Sequence, residues 1–432
     1  MRLSVKEAIW HYPLAQHDSC RIAQAQATHG KETGVGKNDD QRPENAAPNR
    51  QIDTVLTQAG RDPDAFHGFV NPPLVRASTV LFDSVADMEG RTGNRYPYGL
   101  TNTPTIESLN RALTELEGAS GTVLLPSGLA AVALAILATV DAGHRLLVPD
   151  NVYYPTRRLA NRTLKRLGME IVYYDPMEPA TLAGLVVAGR THLFLEAPGS
   201  LTFEVPDIPA LIAPVKAAGG ITIMDNTWAT PVVYRPIEHG IDLSVQAGTK
   251  YIAGHSDLLI GSVSAAPDIW KKLYDTHRDM GLQAGPEDIW LTLRGMRTLS
   301  VRLQRHEQSG LEIARWLQGR PEVGRLLHPA FAECPGHENW KRDFGRSNGL
   351  FAFVLNGTKT QAAAFVEALE IFRIGASWGG FESLAILGEF SRSRSLRPWT
   401  DGPVVRLHVG LEDVGDLIGD LEGGFAAMAA ET

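Results

Sequence analysis

The sequence predicts an α/β fold, with a large domain built on a mostly parallel sheet and a smaller α/β domain at the C-terminus. From about residue 120 to about residue 250, short apolar segments typical of strands alternate with segments typical of helices. Such alternation favours a parallel sheet with helices on both faces, and ligands bind these sheets beyond the carboxyl ends of the strands. A long helical stretch at 286–317 precedes a mixture of both element types, which predicts the smaller domain.

The predicted elements follow one another without an internal repeat. In the large domain, strands are predicted at 122–125, 145–149, 169–173, 192–196, 221–225 and 243–247, and helices at 130–140, 155–167, 179–188 and 208–217. In the smaller domain, strands are predicted at 349–355 and 404–408, and helices at 360–368 and 414–428.

Composition limits the class of protein. The chain has 432 residues, of which 44% are hydrophobic, and this is ample for two domains with large cores. The net charge is −8 and no basic run or basic-aromatic stripe occurs, so nucleic acid is not an expected partner. Two distant cysteines, Cys20 and Cys334, exclude a disulfide framework and favour the cytoplasm. No Cys/His spacing typical of zinc occurs, so we expect no metal.

Two segments differ in composition from the rest of the chain. Residues 23–50 are polar and almost without large apolar side chains. This composition predicts a flexible leader, or a segment present because translation starts at an upstream codon. A short helix is predicted before it, within 5–22. The uncharged run 123–140 approaches the length of a membrane span, but Pro126-Ser127-Gly128 divides it into a strand, a turn and a buried helix. We therefore expect no membrane span, and the N-terminus lacks a signal-peptide pattern.

Lys250 lies just beyond the predicted strand 243–247, between small residues that leave room for a flat ligand. A lysine amine becomes a nucleophile for Schiff-base formation when burial and neighbouring cations lower its pKa. A solvated surface lysine is the ordinary alternative. The lysine alone therefore does not decide between the two interpretations.

Three further features lie at predicted strand ends. The turn Pro126-Ser127-Gly128 opens a helix whose N–H groups suit a phosphate, although an ordinary tight turn has the same pattern. Asp225 ends a strand and is either a helix N-cap or a carboxylate that keeps a pyridinium nitrogen protonated. Tyr153 is either a stacking platform for a planar ring or a core or turn tyrosine. Phosphate cradle, stacking ring, carboxylate and lysine together predict pyridoxal 5′-phosphate (PLP) as the cofactor.

On these residues the chain resembles the cystathionine γ-synthase/β-lyase family, the Cys/Met metabolism enzymes with the aspartate-aminotransferase-like fold (fold type I). The resemblance runs from about Thr54 to the C-terminus. The strings that most resemble its bacterial cystathionine β-lyases lie at 70–73, 76–79, 195–200, 246–250, 377–383 and 406–413. Composition assigns 1–50 to a flexible leader, and the resemblance implies an arm at 51–110 that reaches the neighbouring subunit, a PLP-binding domain at 111–300 and a C-terminal domain at 301–432.

The resemblance also implies roles for individual residues. Lys250 would carry PLP as a Schiff base and, with Tyr153, would transfer protons. The residues in contact with the cofactor would be Lys250, Asp225, Tyr153, Gly128, Leu129, Thr249 and Tyr98. The residues in contact with the substrate would be Arg406, Ser377, Trp378 and Tyr98. The guanidinium of Arg406 suits the α-carboxylate of an amino acid, because it can donate two parallel hydrogen bonds. Tyr98 would contribute to the site of the neighbouring subunit.

The arm departs from the family pattern, which commonly reads Tyr-x-Arg with a second arginine next in β-lyases. Here Tyr98-Gly99 is followed by Leu100 and Thr101, which cannot bind phosphate or a distal carboxylate as arginines would. Arg95 is a nearby cation that could substitute. A smaller or less charged thioether amino acid is therefore an alternative to cystathionine as the substrate.

The resemblance implies a PLP-dependent carbon–sulfur β-lyase of methionine biosynthesis and transsulfuration, which converts L-cystathionine to homocysteine, pyruvate and ammonia. Two alternatives remain open. One is sibling γ-chemistry, as in methionine or cystathionine γ-lyase, γ-synthase or sulfhydrylase, because a fold does not fix a reaction. The other is a PLP-binding regulator without turnover. The expected assembly is a homodimer paired into a tetramer.

Overall fold

The computed structural model describes residues 50–90, 95–391 and 393–431. The predicted leader and its helix within 5–22 lie outside the described residues, except for Arg50. The strands are β1 (Gly121–Leu125), β2 (Arg145–Pro149), β3 (Glu170–Tyr174), β4 (Thr191–Glu196), β5 (Thr222–Asp225), β6 (Leu243–Gln246), β7 (Gly261–Ala265), β8 (Val323–Leu327), β9 (Leu350–Leu355), β10 (Arg373–Ile374), β11 (Leu384–Leu387) and β12 (Val404–His408). The α-helices are α1 (Ile52–Gln58), α2 (Val85–Met88), α3 (Pro104–Glu117), α4 (Gly128–Leu137), α5 (Tyr154–Leu159), α6 (Pro179–Leu182), α7 (Ile208–Ala217), α8 (Thr230–Val233), α9 (Pro267–Met280), α10 (Pro286–Met296), α11 (Leu299–Gln318), α12 (His337–Asp343), α13 (Lys359–Glu367) and α14 (Val414–Ala430).

The large sheet has seven strands in the order β1-β7-β6-β5-β4-β2-β3. Strands β3, β2, β4, β5 and β6 pair in parallel, whereas β7 is antiparallel to both β1 and β6. The predicted mostly parallel sheet is therefore confirmed. All six strands predicted for this domain are present within about two residues of their predicted ends.

The second sheet has five strands in the order β10-β11-β12-β9-β8 and is mostly antiparallel. Helices α11, α13 and α14 share an apolar core with it. The predicted smaller α/β domain is confirmed in this sheet. The described residues from Arg50 onward nevertheless form one compact unit, so the predicted boundaries at 51–110, 111–300 and 301–432 stay predictions.

The predicted helical stretch 286–317 is present as two helices, α10 and α11, with a break between them that the sequence did not indicate. Arg302 of α11 donates to the carbonyl of Gly295, at 2.8 Å, and so satisfies an acceptor at the end of α10. Gly295 itself lies against the backbone of Ala253, where a Cβ atom would come within 2.2 Å of the carbonyl oxygen. The break lets each helix pack its own apolar face.

Two other predicted helices are only partly α-helical. In the predicted helix 155–167, α5 passes into a π-helical turn at Ala160–Leu164. In the predicted helix 179–188, α6 passes into a 3₁₀ turn at Ala183–Leu185 and ends there. The predicted strand, turn and helix within 123–140 are confirmed as β1, Ser127 and α4. Among the described residues, no helix combines the length and apolar character that crossing a membrane requires.

Candidate active site

A cavity of about 330 Å³ lies beyond the carboxyl ends of β2, β4, β5 and β6, and the N-terminus of α4 and strand β12 also border it. Eight of the ten predicted site residues line this cavity. They are Gly128, Leu129, Tyr153, Asp225, Thr249, Lys250, Trp378 and Arg406. Ser377 contacts Lys250, whereas Tyr98 does not line the cavity. Residues distant in sequence, from both sheets, thus meet at one place.

Lys250 extends from the end of β6 into this cavity. Its Nζ atom donates to Ser377 Oγ at 2.7 Å and lies 5.2 Å from the centroid of the Trp378 ring. Burial lowers the pKa of Lys250 to about 8, and the Arg406 guanidinium acts in the same direction, while Asp225 opposes both. A larger fraction of this amine is therefore unprotonated near neutral pH than for a solvated lysine.

Gly379 lets the loop that carries Ser377 and Trp378 approach the lysine closely. Its φ is +85°, in the left-handed region that favours glycine. A Cβ atom at this position would lie 2.8 Å from the backbone nitrogen of Tyr251 and 3.0 Å from Cα of Lys250. Any other residue would push the loop away from Lys250.

The N-terminus of α4 forms the opposite wall. Ser127 caps this helix, because its hydroxyl accepts from the N–H of Ala130 at 3.2 Å. Gly128 opens the helix where the Cβ of Ala247 comes close, and a Cβ on Gly128 would lie only 2.4 Å from it. The free N–H groups of Gly128 and Leu129 and the dipole of this ten-residue helix favour a phosphate.

Thr249 lines the same wall, but its hydroxyl already has partners. The hydroxyl donates to the carbonyl of Ile260 at 3.1 Å and accepts from the N–H of Ile260 at 2.9 Å. To contact a phosphate as predicted, the Thr249 hydroxyl must give up the hydrogen bond that it donates to the carbonyl of Ile260.

Asp225 lies at the end of β5 and does not cap a helix, since α8 begins five residues later. Its Oδ1 accepts from the N–H of Thr227 at 3.0 Å and from the Thr227 hydroxyl at 2.5 Å. The same hydroxyl accepts from the N–H of Ala247 at 2.8 Å, which fixes its proton toward Asp225. Burial raises the pKa of Asp225, whereas Thr227 and Lys250 stabilise its charge. The structure thus favours the functional carboxylate over the N-cap.

Glu196 is a site residue that the sequence did not predict. It lies at the end of β4, directly opposite Asp225 in the parallel pairing of β4 with β5. Its Oε2 accepts from the N–H of Tyr153 at 2.8 Å. Burial, and then the charge of Asp225, raise the pKa of Glu196 well above its ordinary value. Of the two carboxylates, Asp225 accepts two hydrogen bonds from Thr227, whereas Glu196 accepts one from the backbone of Tyr153.

Tyr153 and Arg158 border the mouth of the cavity. The backbone of Tyr153 is held by Glu196, and 47% of the residue is exposed. Burial raises the pKa of Tyr153, as do the nearby carboxylates Glu196 and Asp225, so its hydroxyl is neutral. Arg158 lies one turn further along α5, and within the described residues no hydrogen bond or ion pair engages it. Its guanidinium is therefore free to meet an anionic ligand.

Arg406 comes from β12, in the second sheet. Its Nη2 donates to the carbonyl of Ser377 at 3.0 Å and approaches that of Ala376 at 3.4 Å. Burial lowers the pKa of Arg406 to about 10. None of the carboxylates in the described ranges forms an ion pair with it. A buried cation without an acidic partner is costly, which favours an anionic ligand at this point.

The arm residues lie elsewhere. Tyr98 is 47% exposed and its hydroxyl lies 3.2 Å from Ser78 Oγ. Residues 100–101 line a different cavity of about 580 Å³, together with Arg95. Arg95 is bound there to Glu107, with Nε at 2.8 Å from Oε1. Arg95 therefore does not replace the two missing arginines in the site of its own chain, and the contact of Tyr98 with a neighbouring subunit stays a prediction.

Two features missed in the sequence had weak signals. Thr227 stands two residues after Asp225, a spacing typical of an Asx turn. Glu196 belongs to a string that resembles the family, but nothing in the string indicates that it faces Asp225.

An α/β sheet with a reactive lysine, a buried carboxylate and a helix N-terminus around one cavity defines a vitamin B6-dependent enzyme. These groups fit PLP, because the lysine suits its aldehyde, the carboxylate its ring nitrogen and the helix its phosphate. The chain belongs to the Cys/Met metabolism PLP-dependent enzymes, whose family model matches residues 53–426. PLP is therefore its cofactor.

Named relatives match along most of the chain. A putative cystathionine β-lyase of Rhizobium johnstonii is 49% identical over 387 residues, covering 88% of this chain and 98% of its own. Cystathionine β-lyase MetC of Escherichia coli is 40% identical over 391 residues, covering 88% and 99%. A crystal structure of cystathionine γ-synthase from Xanthomonas oryzae pv. oryzae, in complex with aminoacrylate and cysteine, is 31% identical with a TM-score of 0.83, covering 89% and 100%. The predicted family and fold type are confirmed.

Proposed function

We propose that the protein is a carbon–sulfur β-lyase that cleaves L-cystathionine to homocysteine, pyruvate and ammonia. One observation carries the proposal: a lysine amine with a lowered pKa shares a cavity with a buried arginine that no described carboxylate neutralises. An amino acid held by its carboxylate at Arg406 would present its α-carbon to Lys250. The two relatives named cystathionine β-lyase, at 40% and 49% identity over nearly their whole length, support the reaction.

The cofactor site follows from the same residues. When bound, PLP supplies a protonated ring that accepts the electron pair left at the substrate α-carbon. Asp225, with its charge stabilised by Thr227, would keep the ring nitrogen protonated. Tyr153 would stack on the ring. The N–H groups of Gly128 and Leu129 would hold the phosphate, with Thr249 joining them by exchanging its bond to the backbone.

Lys250 would carry both proton transfers. It takes the proton from the α-carbon, and the bond between the β-carbon and sulfur then breaks with its electron pair leaving on sulfur. Lys250 returns the proton to this thiolate, which leaves as homocysteine. The unsaturated amine that remains takes up one water and yields pyruvate and ammonia. Ser377 orients the amine between these steps, since its hydroxyl lies 2.7 Å from Nζ.

The distal end of cystathionine carries a second carboxylate, and Arg158 at the cavity mouth suits it. The arm of this chain has leucine and threonine at 100–101, and Arg95 is bound to Glu107. Arg158 is the cation that lines the cavity mouth next to Tyr153. We therefore assign selectivity for the distal carboxylate to Arg158.

Sibling γ-chemistry is the second candidate. The similarity to a cystathionine γ-synthase favours it, whereas the altered arm at 100–101 bears on the size and charge of the substrate. The two reactions differ in their keto-acid product, because β-elimination from cystathionine gives pyruvate and γ-elimination gives 2-oxobutyrate.

We further propose that the protein assembles as a homodimer paired into a tetramer. Large apolar side chains are exposed along the arm, and such patches mark protein interfaces. They are Phe69, Val70, Leu74, Leu81, Val85, Met88 and Leu100. The thioether substrate remains a small molecule, and the low cysteine content supports a cytoplasmic location.

The proposal is tested by measuring both keto acids released from L-cystathionine by the purified holoenzyme and by Lys250→Ala. We expect pyruvate from the wild type and a loss of at least about a thousandfold in kcat for Lys250→Ala. Lys271→Ala is the matched control, because Lys271 is an exposed lysine on α9 paired with Asp275. Normal turnover by Lys250→Ala would refute the site, and 2-oxobutyrate in place of pyruvate would favour γ-chemistry.

A further inference from the structure

The segment Ser393–Pro403 leads into β12 and crosses from the second sheet to the loops of the large sheet; we call it the strap. Its main contact is the carboxylate of Asp150, which is 3% exposed. Four strap groups donate to this carboxylate: the N–H of Ser395 at 2.8 Å, its hydroxyl at 2.7 Å, the N–H of Leu396 at 2.9 Å and the N–H of Arg397 at 3.2 Å.

The same carboxylate also binds a cation of the large domain. Both terminal nitrogens of Arg157 lie 3.2 Å from Asp150 Oδ1, and Nη2 donates to Ser395 Oγ at 2.5 Å. Burial alone would raise the pKa of Asp150, but the hydrogen bonds from the strap hold it below its ordinary value. A buried carboxylate with this many charge-assisted donors determines where the donors lie.

A second buried ion pair holds the strap to the wall of the catalytic cavity. Arg394 donates to Glu204 Oε1 at 2.6 Å, and the two side chains are 9% and 8% exposed. Arg394 also contacts the hydroxyl of Thr202. Phe203, between Thr202 and Glu204, lines the cavity, and so does Leu201. This contact therefore fixes a loop that shapes the substrate pocket.

A third contact lies at the surface. Arg397 binds Glu178 at 2.8 Å and contacts Asp175, and its side chain is 57% exposed. Surface ion pairs of this kind contribute little. The two buried contacts are thus the ones that hold the strap.

The strap lies between two parts of the candidate site. Asp150 stands three residues before Tyr153, and the strap runs directly into the strand that carries Arg406. Displacing the strap from Asp150 would therefore move the aromatic ring and the guanidinium relative to each other.

We propose that Asp150 is a positioning residue that, through the strap, holds Tyr153 and Arg406 in one geometry around the cavity. The roles of these two side chains rest on the proposed function, whereas the contact between Asp150 and the strap does not. Asp150 touches neither substrate nor cofactor in this scheme. It acts by holding the loop before Tyr153, the strap and β12 in fixed positions relative to one another.

Asp150→Asn is the principal test, because the amide keeps the size of the carboxylate but turns an N–H₂ group toward N–H donors and leaves Arg157 without its counter-charge. The holoenzyme is assayed for kcat, KM, the dissociation constant of PLP by absorbance, and the rate of trypsin cleavage after Arg394. We expect about tenfold weaker PLP binding, a rise in KM together with a fall in kcat, and at least about tenfold faster cleavage in the strap. Arg397 precedes proline and resists trypsin, and mass spectrometry of the fragments distinguishes cleavage after Arg394 from cleavage after Arg392.

Ser395→Ala provides a milder variant, since it removes one of the four strap donors, and we expect a smaller change in the same direction. It keeps the test decisive if Asp150→Asn does not fold. Lys359→Ala is the matched control, because it breaks an exposed pair with Glu389 near the other end of the same connection. The control should match the wild type in every measurement.

A purely structural role predicts a different outcome. In that case Asp150→Asn and Ser395→Ala would lower the unfolding temperature but leave trypsin cleavage, PLP affinity, KM and kcat as in the wild type. This result would overturn the proposal. Failure of the proposed reaction would appear as absent pyruvate in the wild type. Trypsin cleavage and PLP affinity would still report on the strap.

Discussion

At the scale of single residues, the site balances two cations against one stabilised carboxylate. Lys250 and Arg406 both line the cavity. Asp225 is the negative charge that raises the pKa of Lys250, against the effect of Arg406. Burial and Arg406 together lower the pKa of Lys250 to about 8. At pH 7 roughly a tenth of such an amine is unprotonated, compared with a few molecules in ten thousand for a solvated lysine.

The charge balance predicts how the apoprotein takes up its cofactor. Only the unprotonated amine attacks an aldehyde, so the rate of covalent PLP attachment should rise with pH and level off above a midpoint near 8. In Arg406→Gln, which removes the neighbouring cation, the midpoint should move to higher pH. Stopped-flow absorbance of apoprotein mixed with PLP measures both midpoints.

The exposed Arg111 serves as the control, because it lies outside the catalytic cavity. Arg111→Gln should keep the wild-type midpoint. A wild-type midpoint near the ordinary lysine value of 10.5 would contradict the balance described here.

The sequence alone was enough to place those site residues that directly follow a strand. Lys250 and Asp225 each follow an apolar run, so their place at the ligand edge of a parallel sheet could be inferred locally. Glu196 could not be assigned, because its apposition to Asp225 depends on the register between β4 and β5. Register is set by packing across the whole sheet and leaves no signal in the string itself.

At the scale of elements, a buried carboxylate joins α3 to β6, the strand that ends four residues before Lys250. Glu117 ends α3 and is 0% exposed, and its Oε1 accepts from Gln246 Nε2 at 3.1 Å. Gln246 ends β6, four residues before Lys250. Burial raises the pKa of Glu117 to about 7, although Gln246 and Ser244 oppose this shift.

This joint predicts a loss of stability as pH rises. The folded pKa of about 7 lies above the ordinary value of 4.5, so the folded protein keeps a proton that the unfolded chain has lost. The contribution is fully present below about pH 4.5 and is lost as pH rises through about 7. Glu117→Gln stays neutral and keeps the bond from Gln246. It should therefore reduce the fall in unfolding free energy between pH 4.5 and 8 by up to about 3 kcal/mol.

Urea unfolding of the wild type and Glu117→Gln at both pH values measures the difference. The exposed Glu115, on the same helix, provides the matched variant Glu115→Gln, which should behave as the wild type. An unchanged pH dependence in Glu117→Gln would show that Glu117 is ionised in the folded protein.

Element prediction succeeded where apolar runs were long and failed where packing demands small residues. The strand β7 was missed because its sequence, Gly-Ser-Val-Ser-Ala, has little apolar character. Gly261 is needed there, since a Cβ atom would lie 2.2 Å from the carbonyl oxygen of Ser127. The break between α10 and α11 was missed for a similar reason, because a side chain from one helix binds the end of the other.

At the scale of the whole molecule, the arm carries apolar surface and a tyrosine outside the cavity of its own chain. Tyr98 is half-exposed and its hydroxyl lies next to Ser78, not next to Lys250. The exposed apolar side chains between residues 69 and 100 leave this surface suited to a second copy of the chain. Each site of the proposed homodimer would then combine the cavity of one subunit with the arm of the other.

Mixed assemblies of two inactive variants test this arrangement. Lys250→Ala disables the cavity of its own chain, and Tyr98→Ala disables the arm that its chain lends. If the arm completes the partner's site, a hybrid contains one site with both an intact cavity and an intact arm. Dual-tagged hybrids, purified from coexpression, should therefore be at least about tenfold more active than either variant alone. Hybrids of Lys250→Ala with Arg406→Gln should stay inactive, because both changes disable cavities; hybrids of the first kind that also stay inactive would place Tyr98 outside any shared site.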